Sequence, residues 1–301
     1  MLQSDFLDTV AQRKVAVSTA KNRLQSVILN VDADKRRRML DRATVVEFDR
    51  MISNGRTRPA IVVCKTTEGD EIDVVAKFSA SCDQGVTNLA RETIAACLAA
   101  DLGLPVPKPF LLDIHQNWAA SVADPIARTT IQHSAPVAFG STLVGPQFSA
   151  WTDGNILRPA MRTTALGIFV FDAIIQNPDR RSSNPNCLLK GDAIRIFDHE
   201  LAFTHGVILG WTPPWQLGGL QHLIQPGFHI FRDKLHAENP DFSPIRDSWK
   251  RIVDSRLAQY AATIPAEWLE AKPSVESALA LIRDARDRIE ACLIEVRRIL
   301  T

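Results

Sequence analysis

Three side chains with oxygen donors cluster in the second half of the chain. Asp179 lies in Asn177-Pro178-Asp179-Arg180-Arg181-Ser182-Ser183-Asn184-Pro185-Asn186, Asn184 follows five residues on, and Asp198 comes after a short hairpin in Ile196-Phe197-Asp198-His199-Glu200. Phosphoryl transfer uses such a set. It needs one carboxylate beside an acceptor hydroxyl, and it needs oxygen ligands for Mg²⁺, which prefers carboxylates, amides and phosphate oxygens. On this reading Asp179 orients or deprotonates the acceptor, while Asn184 and Asp198 hold the metal. Asn186 competes for the amide role, but Asn184 has the kinase-like offset from Asp179. Taken alone, Asn-Pro-Asp and Asn-Pro-Asn also read as ordinary turn formers.

Two upstream residues weigh against the turn-former reading. Lys77 interrupts the apolar stretch Val74-Val75-Ala76-Lys77-Phe78, and Glu92 follows fifteen residues later. Separately, each is more often a snorkelling or surface charge. In the order Lys, Glu, Asp, Asn, Asp they match the parts that grip nucleotide phosphates, pair the gripping lysine, orient the acceptor and bind metal. His199 and His205 flank Glu200, yet no His-Glu-x-x-His spacing is present, so a zinc centre is not expected. Trp211, Pro213, Pro214 and Trp215 form an aromatic loop, read as packing with a substrate platform as the alternative.

The expected fold class is α+β, two-lobed and protein-kinase-like, with a strand-rich N-lobe and a helical C-lobe. Residues 1–43 are expected to be a helical extension, with a helix over 5–42 and an apolar face of Leu24, Val27, Ile28 and Val31. Residues 44–145 form the N-lobe. Its strands are expected at 44–48, 59–64 and 72–78, joined by tight turns at 53–57 and 68–70. A helix over 86–101 follows, stopped by Gly103 and Pro105. A strand pair is expected near 109–114 and 117–123, then a strand at 139–145. Residues 146–301 form the C-lobe. It holds a buried helix ending at Asn177-Pro178 and a strand pair at 187–190 and 193–197. A final helix carries the stripe Ala278, Ile282, Ala285, Ile289, Cys292, Val296 and Ile299.

Composition narrows the function. The chain has 301 residues, enough for two lobes around a cleft, with 46% hydrophobic and 23% charged residues. Its formal net charge of +1 does not suggest a nucleic-acid or membrane-surface binder. Lys35-Arg36-Arg37-Arg38 reads first as a solvated helix face and second as an RNA- or partner-binding arm. No apolar run reaches spanning length and the N-terminus shows no signal-peptide stretch. Cysteines at 64, 82, 97, 187 and 292 form no C-x-x-C pair and fit reduced thiols in the cytoplasm.

The chain resembles the short, single-domain HipA-like kinases from about residue 44 to the end. The likeness runs through Asn54-Gly55-Arg56-Thr57-Arg58-Pro59, Val75-Ala76-Lys77-Phe78, Arg91-Glu92-Thr93-Ile94-Ala95, Phe171-Asp172-Ala173, Asn177-Pro178-Asp179-Arg180 and Phe197-Asp198-His199. It implies a serine/threonine kinase using ATP and Mg²⁺, with a toxin-like or regulatory role. Lys77 and Glu92 would be the catalytic ion pair. The turn with Gly55 and Arg56 would cover the phosphates, although it lacks the usual three glycines. The hinge with Thr142 and Leu143 would meet the adenine. The acceptor is a protein or a small molecule; type II phosphoinositide kinases share the Asp-Arg…Asn…Asp arrangement, and a nucleotide-binding pseudokinase scaffold is the non-enzymatic alternative. An antitoxin-like partner is also implied, although the extra N-terminal subdomain of the larger HipA toxins is not seen in the 43 leading residues.

Overall fold

The structure, a computed structural model, describes residues 40–53, 55, 57–236 and 239–301. Residues 5–39 of the helix expected over 5–42 and the basic run at 35–38 lie outside the described residues, as do Asn54 and Arg56.

Short β-branched stretches separated by turns close into a five-stranded barrel. Its strands are β1 (Asp41–Met51), β2 (Ala60–Thr66), β3 (Glu71–Lys77), β4 (Pro109–Asp113) and β5 (Val137–Thr142), in the order β1-β2-β3-β5-β4. All neighbours are antiparallel except β1 and β4, whose parallel pairing of Asp41–Thr44 with Phe110–Asp113 closes the ring. Alternate residues fill the interior, among them Ala43, Val45, Val62, Cys64, Val74, Ala76, Phe110, Leu112 and Ala138. Period two then places Lys77 on the outer face, opposite Val74 and Ala76. That face is covered by α1 (Val86–Asp101), with the bounds expected from its apolar periodicity.

Three sequence expectations need correction. Residues 117–123 do not pair with β4. They lie in α2 (Gln116–Ser121) and the turn leading to α3 (Pro125–Gln132). Asp124 caps α3, accepting from the Ile126 and Ala127 N–H groups at 2.8 and 3.0 Å, with Pro125 in the first turn. An Asp-Pro helix start was thus the overlooked signal, and β4 pairs instead with β1 and β5. Residues 41–42, expected as the end of a helix, are instead the start of β1. The terminal helix breaks at Arg288 (φ −117°, ψ 27°), which separates two helices of the helical half.

That half begins, after the short β6 (Ser149–Ala150), with α4 (Arg162–Ile175), whose residues from Ala165 onward are all buried. The hairpin of β7 (Cys187–Lys190) and β8 (Ala193–Ile196) follows, with β6 at its edge. Then come α5 (Arg232–Leu235), α6 (Ser243–Lys250), α7 (Asp254–Thr263), α8 (Lys272–Asp287) and α9 (Ile289–Leu300). The seven-residue stripe read from the sequence is buried throughout, so packing was predicted correctly across the break. The five cysteines are free and buried. Among the described residues no helix is long and apolar enough to cross a membrane.

Gly140 permits the closure of the barrel. It pairs with Ala76 on one side and Phe110 on the other, and an added Cβ would lie 2.7 Å from Val74 Cγ1 and from Leu112 Cδ1. Valine is stiff at χ1 and cannot swing away. Gly140→Ala is therefore expected to lower stability by about 1–3 kcal/mol through overpacking. Urea unfolding checks this, and an unchanged midpoint would show that the barrel absorbs the methyl group freely.

Candidate active site

Lys77 ends β3 with its side chain 9% exposed. Its Nζ donates to Asp198 Oδ1 at 2.5 Å, Glu92 Oε2 at 3.0 Å and Glu200 Oε2 at 3.1 Å. Burial alone would push this ammonium's pKa down. Asp198, Glu92 and Glu200 more than reverse it, holding the lysine charged well above its ordinary value. Burial would likewise push Glu92 up, but Lys77 and a hydrogen bond from His199 hold it well below the usual carboxylate range. The His199 N–H donates to Glu92 Oε2 at 2.6 Å, so Glu92 ties the 198–200 turn to α1 as well as to β3. Glu200 is raised to about 7, first by burial and then by the charges of Asp198 and Glu92, against the opposing pull of Lys77.

A second group lies on the loop after α4. The helix ends with Gln176 in a left-handed conformation (φ 57°), and Asn177 folds back to donate through Nδ2 to Asp172 Oδ1 at 2.7 Å. Asp179 Oδ2 accepts from Asn184 Nδ2 at 2.8 Å and from Asn186 Nδ2 at 3.0 Å. Both candidate amides thus serve the same carboxylate. Asp179 is shifted upward, chiefly by burial and further by the charge of Asp198, while the two asparagines pull it down. An upward shift suits a carboxylate that accepts a proton. The link to Asp198 also places the two carboxylates within electrostatic reach of each other.

Not every expected residue joins these groups. Gly55 (φ 107°) is exposed in the β1–β2 turn, and a Cβ there would meet nothing within 4 Å. Thr142 and Leu143 stand at the end of β5, where both N–H groups are taken: Thr142 donates to Lys108 O at 3.0 Å and Leu143 to Asp73 O at 2.9 Å. Any adenine contact there falls to carbonyls or to neighbouring residues. Trp211 and Trp215 pack within the helical half. Trp211 Nε1 donates to Gln176 Oε1 at 3.0 Å, and Arg288 lies 5.2 Å from the Trp215 ring.

Sequence reasoning missed Glu200 as the third carboxylate on Lys77. Its spacing from Asp198 across a tight turn was the available signal. It also missed the full burial of Arg180, which the charge of the residue disguised.

Metal-ligating chemistry is present in two forms. Asp198 offers a carboxylate and Asn184 an amide oxygen, its Nδ2 being engaged by Asp179, and both are hard donors suited to Mg²⁺. Glu92, Asp198 and Glu200 also bring carboxylate oxygens within 4.8 Å of one another, around Lys77.

The site thus holds a lysine bonded to a helix glutamate and a post-hairpin aspartate, and a loop aspartate bonded to two asparagines. A family model for HipA-like kinases matches residues 45–295. The chain belongs to the HipA-like kinase family and is a kinase. No curated protein gave a significant match. Among solved structures, the crystal structure of a Helicobacter pylori proinflammatory kinase, CtkA, is 12% identical, with a TM-score of 0.43, covering 87% of this chain and 100% of that one.

Removing Lys77 leaves two buried carboxylates, Glu92 and Glu200, and the half-buried Asp198 without their cation. Lys77→Met is expected to cost about 3–5 kcal/mol of stability at pH 8, the magnitude for breaking a buried pair, besides abolishing turnover. Glu200 is raised in the folded state, so between its unfolded value and about 7 the native protein binds the extra proton and stability falls as pH rises. Loss of Lys77 raises Glu200 further and moves that window upward. The Lys77→Met defect should therefore shrink at pH 5.5. Denaturant unfolding at both pH values measures it, and an equal defect at each would refute the electrostatic account.

Proposed function

We propose that this kinase is an ATP- and magnesium-dependent phosphotransferase acting on an alcohol group, most directly a serine/threonine protein kinase with a toxin-like or regulatory role. The observation that supports it best is the Lys77–Glu92 ion pair at 3.0 Å, with Asp198 on the same ammonium. The barrel and α1 would act as the N-lobe and the helices from α4 onward as the C-lobe, with ATP between them. The acceptor would be a protein hydroxyl, or a small-molecule or lipid alcohol, since a kinase fold does not fix the acceptor. A pseudokinase scaffold fits less well, because the ion pair and both loop carboxylates are all present. An antitoxin-like partner goes with the toxin-like reading, and a reducing cytoplasm accords with five free thiols.

The contacts support the following roles. Lys77 exchanges Asp198 for phosphate oxygens when nucleotide enters, and Glu92, held by His199, keeps the ammonium in place. Asp179 receives the proton of the acceptor hydroxyl. Asn184 and Asn186 hold the Asp179 carboxylate in one orientation. Asn184 and Asp198 would hold Mg²⁺, which supplies charge neutralisation on the phosphates.

These roles separate experimentally. Asp179→Asn should bind Mg-ATP and lose turnover, whereas Asp198→Asn should lose both turnover and the metal-dependent part of binding. Ligand at a hundredfold excess over its dissociation constant stabilises the native state by about 2.7 kcal/mol. Wild type and Asp179→Asn should therefore show a magnesium-dependent rise in melting temperature with ATP, and Asp198→Asn little. Swapped behaviour would reverse the assignments. Failure of labelled ATP to mark any acceptor, with purified protein alone or with lysate, would count against the activity itself.

A further inference from the structure

A segment well downstream of the loop carboxylates returns to brace them. Residues 227–231 run beside 179–182. The Ser182 N–H donates to Gly227 O at 3.1 Å, the Ile230 N–H donates to Arg180 O at 3.2 Å, and the Arg181 guanidinium lies 4.9 Å from the Phe228 ring centroid. At the centre is His229, 3% exposed and edge-on to Phe169 of α4 at 4.8 Å. Its Nδ1 accepts the Phe231 N–H at 3.1 Å, which puts the ring proton on Nε2, 3.1 Å from Asp172 Oδ2. Burial pushes the imidazole toward its neutral form, against the pull of Asp172.

The chain of hydrogen bonds continues. Asp172 Oδ2 also accepts from Arg180 Nε at 2.6 Å, and Oδ1 accepts from Arg180 Nη2 at 3.3 Å and Asn177 Nδ2 at 2.7 Å. Arg180 Nη1 then reaches the backbone carbonyls of Asn186 and, at 3.4 Å, Phe197. The first belongs to a residue whose amide holds Asp179, and the second immediately precedes Asp198. Asp172, Arg180 and His229 are all buried.

We propose that His229 is a positioning residue for phosphoryl transfer. Its Nε2–H fixes the Asp172 carboxylate, and through Arg180 that carboxylate sets the spacing between Asp179 and Asp198. Without this donor, Asp172 Oδ2 loses one of its two partners, the carboxylate can rotate, and Arg180 follows. Displacements on the order of 1 Å from the reacting geometry can cost about a hundredfold in rate. The inference rests on the kinase reading for its consequence, though not for its geometry.

Two variants at one position separate placement from mere stability. The amide of His229→Asn can still accept from Phe231 but is too short to reach Asp172. The longer amide of His229→Gln can place a donor near the Nε2 position. At equal folded fraction in the full-length chain, with ATP and Mg²⁺, His229→Asn should lose at least tenfold in kcat, with KM for ATP within threefold of wild type. His229→Gln should recover kcat to within threefold. Amide hydrogen exchange over 179–187 should quicken in His229→Asn and not in His229→Gln, while 278–285 stays unchanged in both. Equal kcat and equal exchange in the two variants would overturn the proposal. Should His229→Asn not fold, His229→Met fills the same volume without a donor and carries the same expectations. If wild type shows no phosphoryl transfer, the kinase reading fails on its own, and the exchange difference alone then decides whether His229 holds the loop.

Discussion

Taking a lysine ammonium out of water costs several kcal/mol even after the protein relaxes, and attraction offsets this only where the geometry is good and every proton finds an acceptor. Lys77 meets that condition by using all three protons on carboxylates from two other parts of the chain: Glu92 on α1, and Asp198 and Glu200 on the turn after β8. The arrangement constrains everything around it. β3 must end at Lys77, α1 must present Glu92 rather than a neighbouring residue, and the 198–200 turn must approach the barrel face. The His199 N–H on Glu92 links the last two requirements, so β3, α1 and the post-hairpin turn are fixed by one buried cluster. Three carboxylates around one cation leave an excess of negative charge, which adds to burial in raising Glu200 to about 7. An incoming phosphate would have to compete with Asp198 for the ammonium. The same carboxylate is the one proposed for the metal, so on that proposal metal binding and release of Lys77 would be coupled.

How far the sequence revealed this depended on the kind of signal. α1 was legible to the residue, because apolar spacing, Gly103 and Pro105 all report on local chain geometry. The β7–β8 hairpin was legible for the same reason, within one residue at its end. The Lys77–Glu92 pair was legible because a lone cation in an apolar strand demands a partner. What failed was long-range. Residues 117–123 carry enough apolar character to pass for a strand, and only the Asp124-Pro125 helix start argued otherwise. The partners that displaced them, β1 in parallel and β5 in antiparallel, are set by barrel closure and leave no local mark. Glu200 was missed because a carboxylate two residues from another reads as a surface charge until the fold brings both to Lys77 and buries Glu200 there. The terminal stripe was right in every residue and silent about the break at Arg288, since a one-residue turn preserves the facing of the side chains on either side.

The same loop and turn depend on backbone conformations that side chains rarely adopt. Asn186 and Asp198 have φ of 42° and 62°, in the left-handed region that costs non-glycine residues on the order of 1–3 kcal/mol. Asn and Asp tolerate it better than most residues, and the surroundings must hold it. Here they do so from two directions. The Phe197 N–H donates to Asn186 O at 3.2 Å, joining Asn186 to the residue just before Asp198, while Arg180 Nη1 reaches the carbonyls of both Asn186 and Phe197. A buried guanidinium is itself unfavourable without an anion, and Asp172 on α4 provides it at 2.6 Å. The strain that aims Asp198 toward Lys77 and the amide that orients Asp179 are thus both anchored on one ion pair, carried by the first helix of the helical half. This gives a physical reason for the run Asn177-Pro178-Asp179-Arg180. The aspartate in it is the proposed proton acceptor, and the arginine beside it, wholly buried, holds the backbone that carries the amide partner of that aspartate and leads into Asp198.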